Sequence, residues 1–506
     1  MGDKKLASEK IFFVMSCLRR ETIDMATPAA QYVPPKGKRA IYYHTSWSNY
    51  GRNFQVKDLP IDYITDVAYA FFNVGTDGKV FSGDAWADFD NPLIGKGVEP
   101  QNNWESPKDC LGNLGQFNKL RKQGKKFNFT LSVGGWTWSA NFSDAVSTAA
   151  GRETMVNSIL DLFKAWPGLF NGVSLDWEYL SNDGKNYGNA GNKARPEDAD
   201  NFIELLKLLR SKLGPGFSLS FCVSAAPEKI KMPVDKLHPL LDEIHVMTYD
   251  FHDGAWGETV SGHHTNLRKS PHGIYSVEEG ITAWRNCGVP PQKLFVGAAL
   301  YSRGFGNTDG IGKPCSGGSP DMSWEKGSVD YKALPLPGAT EHWDDVAHAG
   351  YSYDPVKRVL NSYDTVRSVK EKCQYVLDNN LGGLLIWESS GDAPFTSERS
   401  IMRAIAQTLT HGDQLPPPTP SVPTPTPAPS PVPGPTPTPT PTPAPTPAPS
   451  PAPTGTATTW TAGNSYKVGD IVTHKNIPYK CIQSHTAQPG WDPDATRALW
   501  EPLPSS

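Results

Sequence analysis

The sequence predicts a (β/α)8 barrel, the TIM-barrel class of α/β fold, followed by a small all-β module. Between Arg39 and Thr410, eight short β-rich runs alternate with longer helix-compatible stretches, which is the order that such a barrel requires. A tract that holds 20 of the 47 prolines, Pro416–Pro453, separates this region from an aromatic-rich tail, Thr454–Ser506. Because so proline-rich a segment cannot build a core, it marks a domain boundary.

The eight predicted strands are short runs rich in apolar and β-branched residues. In order, they are Arg39–His44, Asp66–Phe72, Phe127–Val133, Gly172–Trp177, Phe217–Val223, Glu243–Thr248, Leu294–Tyr301 and Gly383–Trp387. Apolar residues at intervals of three and four predict amphipathic helices between them, including Leu114–Gly124, Arg152–Trp166, Ala199–Leu213, Val277–Cys287 and Thr365–Asn379. A doubly wound open sheet is the alternative, but no Gly-rich phosphate loop follows the first strand.

The connection between the seventh and eighth predicted strands is long enough to form a subdomain. More than 60 residues separate Tyr301 from the helix near Thr365. We expect an α+β insertion at about 304–362, with aromatic side chains that form one wall of a groove. The barrel domain as a whole is predicted to span 39–411.

The first 38 residues are predicted to be a signal peptide or a disordered segment. Ile11–Leu18 is apolar and follows three lysines, but Arg19 and Arg20 end it and the small-residue cleavage pattern is poor. An alternative start at Met25 fits the sequence equally well. Export therefore cannot be inferred from this segment.

The region after the barrel is expected to be a linker, 412–453, followed by a small module, 454–506. Pro416–Pro453 contains no charged or aromatic residue, and we expect an extended spacer of at most about 120 Å. The tail carries more aromatic residues than a core of about 50 residues uses, so an exposed platform that stacks on sugar rings is predicted. The alternative is that all of them are core. The aromatic residues are Trp460, Tyr466, Tyr479, Trp491 and Trp500.

Composition excludes several classes of function. With 48 Lys+Arg against 52 Asp+Glu, no strong field favours nucleic acid or an anionic membrane as a partner. The sequence contains no run of 18 apolar residues, so no membrane-spanning helix is predicted. The seven cysteines include no C-x-x-C pair, so neither a disulfide framework nor a zinc ribbon is indicated. We expect a monomer without metal or cofactor.

Functional residues of such a barrel lie at the carboxyl ends of its strands. There the sequence places carboxylates, tyrosines and tryptophans, which suit a neutral, ring-shaped substrate rich in hydroxyl groups. G-x-S-x-G and H-E-x-x-H motifs are absent. The candidates at these ends are Tyr42, Tyr43, Phe72, Asn73, Gly134, Gly135, Trp136, Asp176, Glu178, Met247, Thr248, Tyr249, Asp250, Tyr301, Arg303 and Trp387.

The segment Asn171–Tyr179 carries the sharpest chemical signal. Side chains alternate along a strand, so Ser174, Asp176 and Glu178 should share the inner face of the barrel, opposite three apolar residues. Two carboxylates about 6.6 Å apart along a strand raise each other's proton affinity. We therefore expect Glu178 to be protonated near neutral pH and to act as a general acid.

Several short motifs, which follow one another along the chain in a fixed order, resemble those of a known enzyme family. Ser132-Val-Gly-Gly135-Trp136, Asp176-Trp-Glu178, Met247-Thr-Tyr-Asp250, Tyr301-Ser-Arg-Gly304 and Trp387 resemble the pattern of glycoside hydrolase family 18, the chitinases, from about Arg39 to Thr410. The tail, from W-x5-Y-x2-G-D at Trp460 to H-T-x2-P-G-W-x-P at His485, resembles the chitin-binding modules of carbohydrate-binding families 5 and 12.

The resemblance implies a retaining mechanism in which the acetamido oxygen of the substrate is the nucleophile. Glu178 would be the proton donor and general acid/base, Asp176 would orient the acetamido group, Tyr249 would bind its carbonyl and Asp250 would help to distort the sugar. Ser132 and Ser174 would support them. Besides the strand-end residues, Thr137, Tyr179 and Trp256 would bind substrate, and Trp460, Tyr479, Trp491 and Trp500 would bind chitin in the module.

Two positions of the acidic segment depart from the family pattern, and Ala299 and Ser302 stand where proline and glycine are usual, which we interpret as packing variation. Asn171 and Ser174 stand where Asp is usual, so we expect Asp176 to ionise more easily and the pH optimum to shift while activity survives. The competing functions are a chitin-binding protein without catalysis and an enzyme that cuts the chitobiose core of N-glycans. The presence of Glu178 argues against a binding protein without catalysis, and the tail argues against an enzyme that cuts N-glycans. Chitin and chito-oligosaccharides are the expected partners, at an extracellular location.

Overall fold

The computed structural model describes residues 26–93, 96–98, 111–412 and 415, and, towards the C-terminus, 458–461, 464–467, 469–475, 477–481, 485–486, 493 and 500–503. The chain divides into two compact units after Pro423, and each is described by itself. The signal-like run Ile11–Leu18 and the predicted spacer Pro416–Pro453 lie outside the described residues.

Eight parallel strands close into a barrel, as predicted. Their spatial order is β1-β13-β8-β7-β6-β5-β4-β2, and pairing of β1 with β2 closes the ring. Every predicted strand is present, with ends that differ by at most two residues. The barrel strands are β1 (Arg39–Thr45), β2 (Asp66–Val74), β4 (Asn128–Gly134), β5 (Gly172–Asp176), β6 (Ser218–Ser224), β7 (Glu243–Met247), β8 (Leu294–Ala299) and β13 (Gly383–Trp387); β3 (Val80–Ser82) pairs antiparallel with β2.

Helices follow the strands, and the five predicted helices are confirmed. Several begin at a side-chain cap: Thr148 Oγ1 accepts the N–H of Gly151, and Ser276 Oγ accepts that of Glu279. The α-helices are α1 (Gly112–Lys122), α2 (Phe142–Val146), α3 (Ala149–Ala165), α4 (Asp198–Leu213), α5 (Val234–Leu237), α6 (Val277–Asn286), α7 (Val366–Asp378) and α8 (Ile401–Ile405).

The apolar core has two layers. The larger lies between strands and helices and includes Val173, Leu175 and Trp177 of the acidic segment. A smaller cluster fills the barrel interior and includes Tyr43, Phe71 and Cys222. Because Ser174 Oγ contacts Cys222 Sγ at 3.6 Å, Ser174 points inward, and the predicted alternation along β5 is confirmed.

The insertion between β8 and β13 is an antiparallel sheet with the order β10-β11-β12-β9. The strands are β9 (Arg303–Phe305), β10 (Thr340–Asp344), β11 (Ala349–Asp354) and β12 (Val359–Tyr363). Its only helical turn in the described chain is the short 3-10 segment Tyr331–Ala333. The insertion is thus more β-rich than the predicted α+β arrangement, and the nearest α-helix, α7, follows it.

Residues 26–38, which precede β1 and the predicted start of the barrel domain at residue 39, contact the barrel. The N–H of Ala29 donates to the carbonyl of Phe170 at 2.8 Å, and the amide of Asn171 donates to the carbonyl of Ala29 at 3.0 Å. Asn128 exchanges hydrogen bonds with the backbone of Tyr32 in the same way. Residues 26–38 therefore belong to the barrel domain and cross the amino ends of its strands.

The C-terminal unit is built of short strands. They are β14 (Thr458–Thr459), β15 (Ser465–Tyr466), β16 (Ile471–His474), β17 (Ile477–Cys481), β18 (His485–Thr486) and β19 (Trp500–Pro502). Tyr466, Val472, Tyr479, Cys481 and Trp500 form its core. Within the described parts of both units, no helix is both long and apolar enough to cross a membrane.

Candidate active site

The carboxyl end of β5 is locked to the loop that follows β4. The N–H of Gly135 donates to the carbonyl of Asp176 at 2.7 Å. Ser139 Oγ lies 2.9 Å from the backbone nitrogen of Glu178 and accepts its hydrogen, while donating towards the carbonyl of Gly135. These bonds fix the backbone that carries both carboxylates.

Two glycines allow this close approach. Gly134 has φ +107°, and a Cβ on it would lie 2.2 Å from the carbonyl oxygen of Asp176. Gly135 has φ +83°, and its Cβ would lie 2.7 Å from the ring of Phe71. Both glycines are therefore required by contacts within the protein, in addition to any approach of substrate.

Asp176 and Glu178 are buried, 4% and 8% exposed, and they interact electrostatically. The pKa of Glu178 is raised to about 7, chiefly by burial and also by the charge of Asp250, while the hydrogen bond of Tyr179 and the charge of Lys229 oppose the shift. Burial and the charge of Glu178 raise the pKa of Asp176 well above its usual range. Glu178 can therefore hold a proton near neutral pH. The expectation that Asp176 ionises more easily than it would beside a carboxylate at position 174 stays a prediction, since the raised pKa is relative to a free aspartate.

Asp250, after β7, lies in a different electrostatic setting. Its Oδ1 accepts hydrogen bonds from Tyr301 Oη and Arg303 Nε, both at 2.7 Å. Burial alone would raise the pKa of Asp250, but Arg303 and the neighbouring His264 hold it well below its usual range. The residue has φ +58°, a conformation that Asp tolerates better than most residues. Asp250 is thus a fixed negative charge beside a protonated Glu178.

Arg303 joins this aspartate to the rim of the barrel. Its Nη1 donates to Asp253 at 3.1 Å, and its guanidinium lies 5.4 Å from the ring centroid of Trp256. Asp253 also caps the turn that carries Trp256, since its Oδ1 accepts the N–H of Ala255 at 2.8 Å. One cation therefore orients a carboxylate and an aromatic platform together.

Trp387, the predicted floor of the site, lies against aromatic neighbours other than the predicted ones. It stacks on Phe71 with centroids 5.5 Å apart and meets Tyr43 at 5.4 Å. Tyr42 and Phe72, the predicted binding residues, instead belong to the outer core. The assignment of Tyr42 and Phe72 to substrate binding is therefore wrong. Tyr43 and Phe71 lie beside Trp387 instead.

The two errors have identifiable causes. In β1, both faces are apolar, so alternation cannot say which tyrosine points inward. In β2, the register against β4 shifts between Tyr69 and Phe72. This bulge places Ala70 and Phe71 both in the inner cluster and returns Phe72 to the outer layer.

The remaining predicted barrel residues lie at the carboxyl ends of the strands. Trp136 and Trp256 are 49% and 56% exposed, as sugar platforms would require, and Thr137 is exposed. Met247 and Tyr249 pack partly buried against the inner cluster. Tyr179 is partly buried, with Lys229 Nζ 4.5 Å from its ring centroid.

The predicted supporting serines lie inside the barrel. Ser132 is fully buried, and its Oγ has no hydrogen-bond partner among the described residues. Ser174 contacts Cys222, while Asn171 lies at the opposite, amino end of β5 and holds the N-terminal segment. These two departures from the family pattern therefore affect different parts of the domain.

In the C-terminal module, two of the residues predicted to bind chitin are buried, so this part of the prediction is wrong. Tyr479 and Trp500 are 1% and 0% exposed and form the core of the module. Trp460 packs partly buried against them, and Trp491 lies outside the described residues. So small a domain needs its large aromatic residues for its core, because it has few other apolar side chains to bury.

Four residues of this site are not among the predicted site residues. Trp47 and Trp138 pack against the inner cluster, Ser139 bonds to the backbone of Glu178, and His264 contacts Asp250. Trp138 lies in the predicted motif region, two residues beyond Trp136, but the others carry no local signal. In the described part of the chain, no three His, Cys, Asp or Glu side chains are grouped to hold a metal ion.

Comparisons with known proteins agree with this geometry. A family model described as Glycosyl hydrolases family 18 matches residues 39–392, and one described as Carbohydrate-binding module family 5/12 matches residues 459–501. The chain is 37% identical to Endochitinase 1 of Metarhizium robertsii (strain ARSEF 23 / ATCC MYA-3075), over 73% of this chain and 87% of that protein. It is 38% identical to Chitinase 1 of Aphanocladium album, over 69% of this chain and 80% of that protein. The structure of the catalytic domain of psychrophilic chitinase B from Arthrobacter TAD20 matches with TM-score 0.66 and 28% identity, covering 75% of this chain and 97% of that one.

Proposed function

Since this chain belongs to the glycosyl hydrolases of family 18 and is a chitinase, we propose that it cleaves β-1,4 bonds between N-acetylglucosamine units by a retaining, substrate-assisted mechanism. The observation that carries this proposal is the contrast among three carboxylates at the carboxyl ends of β5 and β7, of which Asp176 and Glu178 are buried. The pKa of Glu178 is raised to about 7, that of Asp176 is raised, and that of Asp250 is lowered. Such contrasts separate a proton donor from a fixed negative charge.

In the first step, Glu178 donates its proton to the glycosidic oxygen. The acetamido oxygen of the same sugar attacks the anomeric carbon, the bond to the leaving chain breaks, and a cyclic oxazolinium forms. Asp176 accepts the acetamido N–H and offsets the positive charge that develops. The hydroxyl of Tyr249 donates to the acetamido oxygen and orients it for attack.

In the second step, the ionised Glu178 takes a proton from water, whose oxygen attacks the anomeric carbon. The oxazolinium ring opens, the acetamido group is restored and Glu178 is again protonated. Two inversions at one carbon leave the product with the β configuration of the substrate. Trp387 supports the sugar from below throughout, on the aromatic layer of Tyr43 and Phe71.

The test of Glu178 is the variant Glu178→Gln, which keeps the size of the side chain and removes its acid. Turnover of chitin hexamer should be abolished, while oligosaccharide binding measured by calorimetry persists. Glu204→Gln, on the exposed outer helix α4 and paired only with Lys207, is the matched control and should retain normal turnover. Near-normal turnover by Glu178→Gln would overturn the assignment.

Two further measurements separate the alternatives. Early products from the hexamer should be predominantly β-anomers by NMR, and α-anomers would contradict retention. Reducing ends should be released from insoluble chitin rather than from a high-mannose glycoprotein, since the chain combines this site with a chitin-binding module. A binding protein without catalysis would release none from either substrate.

The location and assembly of the enzyme complete the proposal. Chitin is an insoluble extracellular polymer, so we place the enzyme outside the cell, as a monomer that acts on chitin chains. The carbohydrate-binding family of the tail supports a role in holding the enzyme near this polymer. The proline tract would then act as the spacer between module and barrel.

A further inference from the structure

The barrel interior beneath Asp176 contains the thiol of Cys222, which contacts three polar side chains. Cys222, on β6, is 1% exposed. Its Sγ lies 3.0 Å from Tyr43 Oη, 3.6 Å from Ser174 Oγ and 3.9 Å from His245 Nδ1. These partners come from β1, β5 and β7, so the thiol connects three barrel strands across the interior.

The network continues from the thiol to the base of the barrel. Glu243 is held ionised, because Arg39 and His245 lower its pKa against the effect of burial. Its carboxylate therefore accepts Nε2–H of His245 at 3.0 Å. Nδ1 of the same ring faces Cys222 Sγ, which also contacts the hydroxyls of Tyr43 and Ser174.

This arrangement lies where the family pattern departs in this chain. Ser174 occupies a position at which the pattern has a carboxylate, so Asp176 has a neutral hydroxyl below it. Tyr43 touches Trp387 on the floor of the site. Cys222 bonds to both Ser174 and Tyr43, and contact with it also lowers the pKa of Asp176 against the effect of burial.

We infer that Cys222 is a positioning residue of this hydrolase: its thiol holds Tyr43 and Ser174 beneath Asp176, where the family pattern would place a second carboxylate. This inference rests on the proposed roles of Asp176 and Glu178. Sulfur suits the position because its contacts at 3.6 and 3.9 Å exceed the reach of a hydroxyl oxygen. The catalytic pair thereby gains neutral support without another buried charge.

The alternative explanation is packing alone, since a buried cysteine commonly behaves as a small apolar residue. Three substitutions distinguish the two roles. Ser and Ala have nearly equal volume and differ by a hydroxyl, whereas Val fills the space of the thiol without a hydrogen bond. A positioning role predicts that Cys222→Ser, which can keep only the bond that the thiol makes to Tyr43 at 3.0 Å, retains more kcat than Cys222→Ala or Cys222→Val. A packing role predicts that Val retains the most.

The experiment compares kcat, KM and pH profiles on soluble chitin oligosaccharides, with the full chain. We expect kcat of the Ala and Val variants to fall roughly tenfold or more below that of the Ser variant, as loss of one hydrogen bond at a reacting group would cause. The acid limb of kcat/KM should move to higher pH in the Ala and Val variants, because Asp176 loses a contact that favours its charged form. The titratable groups that face Asp176 are Tyr43, Glu178, Tyr179, Cys222 and Tyr249.

Two controls keep the outcome interpretable. Cys373→Ala removes another fully buried thiol, in α7 of the outer core, and should lower stability without moving the pH profile. Glu178→Gln in the same series tests the proposed mechanism itself, and residual turnover there would overturn that mechanism whatever Cys222 does. If the Val variant matches the original protein and the Ser and Ala variants are alike, with unchanged pH profiles, the positioning role is refuted.

Discussion

Replacing Arg303 by Met should destabilise the enzyme in a pH-dependent way. The side chain of Arg303 is 10% exposed and bonds to Asp250 at 2.7 Å and to Asp253 at 3.1 Å. Removing one partner of a buried ion pair costs about 3–5 kcal/mol. Because the side chain of Asp250 keeps 32% of its surface exposed, we take the low end, about 3 kcal/mol at pH 7.

The sign of the pH effect follows from the lowered pKa of Asp250. In the original protein, this group contributes stability above its unfolded pKa of about 4, and the contribution is lost as pH falls through the lower folded value. In Arg303→Met, the unpaired carboxyl is buried, so its pKa rises and it takes up a proton as pH falls. The difference in stability between the two proteins should therefore be largest near pH 7 and smaller near pH 4.5.

Urea unfolding of both proteins at pH 7 and pH 4.5, followed by tryptophan fluorescence, measures this difference. Arg367→Met is the matched control: Arg367 is 57% exposed, pairs with Asp345 and stacks on Trp343, so its loss should cost at most about 1 kcal/mol. A difference for Arg303→Met below about 1 kcal/mol, or one of equal size at both pH values, would refute the reasoning.

Two other expectations concern pH and substrate form. Since Glu178 must be protonated to act and its pKa is about 7, kcat/KM on soluble oligosaccharides should fall as pH rises through about 7; Lys229→Met should move this limb to higher pH, because Lys229 lowers that pKa, whereas Lys231→Met should not. Deleting Thr454–Ser506 should reduce activity on crystalline chitin far more than on soluble oligosaccharides, and equal losses on both substrates would argue against a tethering role.

The fold could be predicted because hydrophobic periodicity is a local property of the sequence. The eight barrel strands and the main helices each have their own repeat of two or of three to four residues, and each was found within a few residues. The acidic strand was predicted for the same reason, since Ser174, Asp176 and Glu178 alternate with apolar residues. Alternation fixes a face wherever the two faces differ in polarity.

The failures occurred where the two faces do not differ. β1 and β2 are buried on both sides, so alternation does not tell whether Tyr42 or Tyr43, or Phe71 or Phe72, faces the barrel interior. In the module, Tyr479 and Trp500 were assigned to the surface because aromatic residues can serve either role. The contacts of Arg303 and Cys222 join residues distant in sequence, and only the closed barrel brings these residues together.

The polar groups inside the barrel are bonded differently at its two ends. At the amino ends of the strands, Arg39 pairs with both Asp66 and Glu243, the first residues of β1, β2 and β7. At the carboxyl ends, Asp176 Oδ1, Ser132 Oγ and His264 Nε2 are buried without a partner among the described residues. Unpaired buried groups cost stability, so the paired charges stabilise the base of the barrel, whereas Asp176 carries an unpaired buried oxygen at the other end. Cys222 lies between the two sets, and this position explains why a neutral, polarisable group suits it: it satisfies polar neighbours above and below without adding a charge that the interior could not solvate.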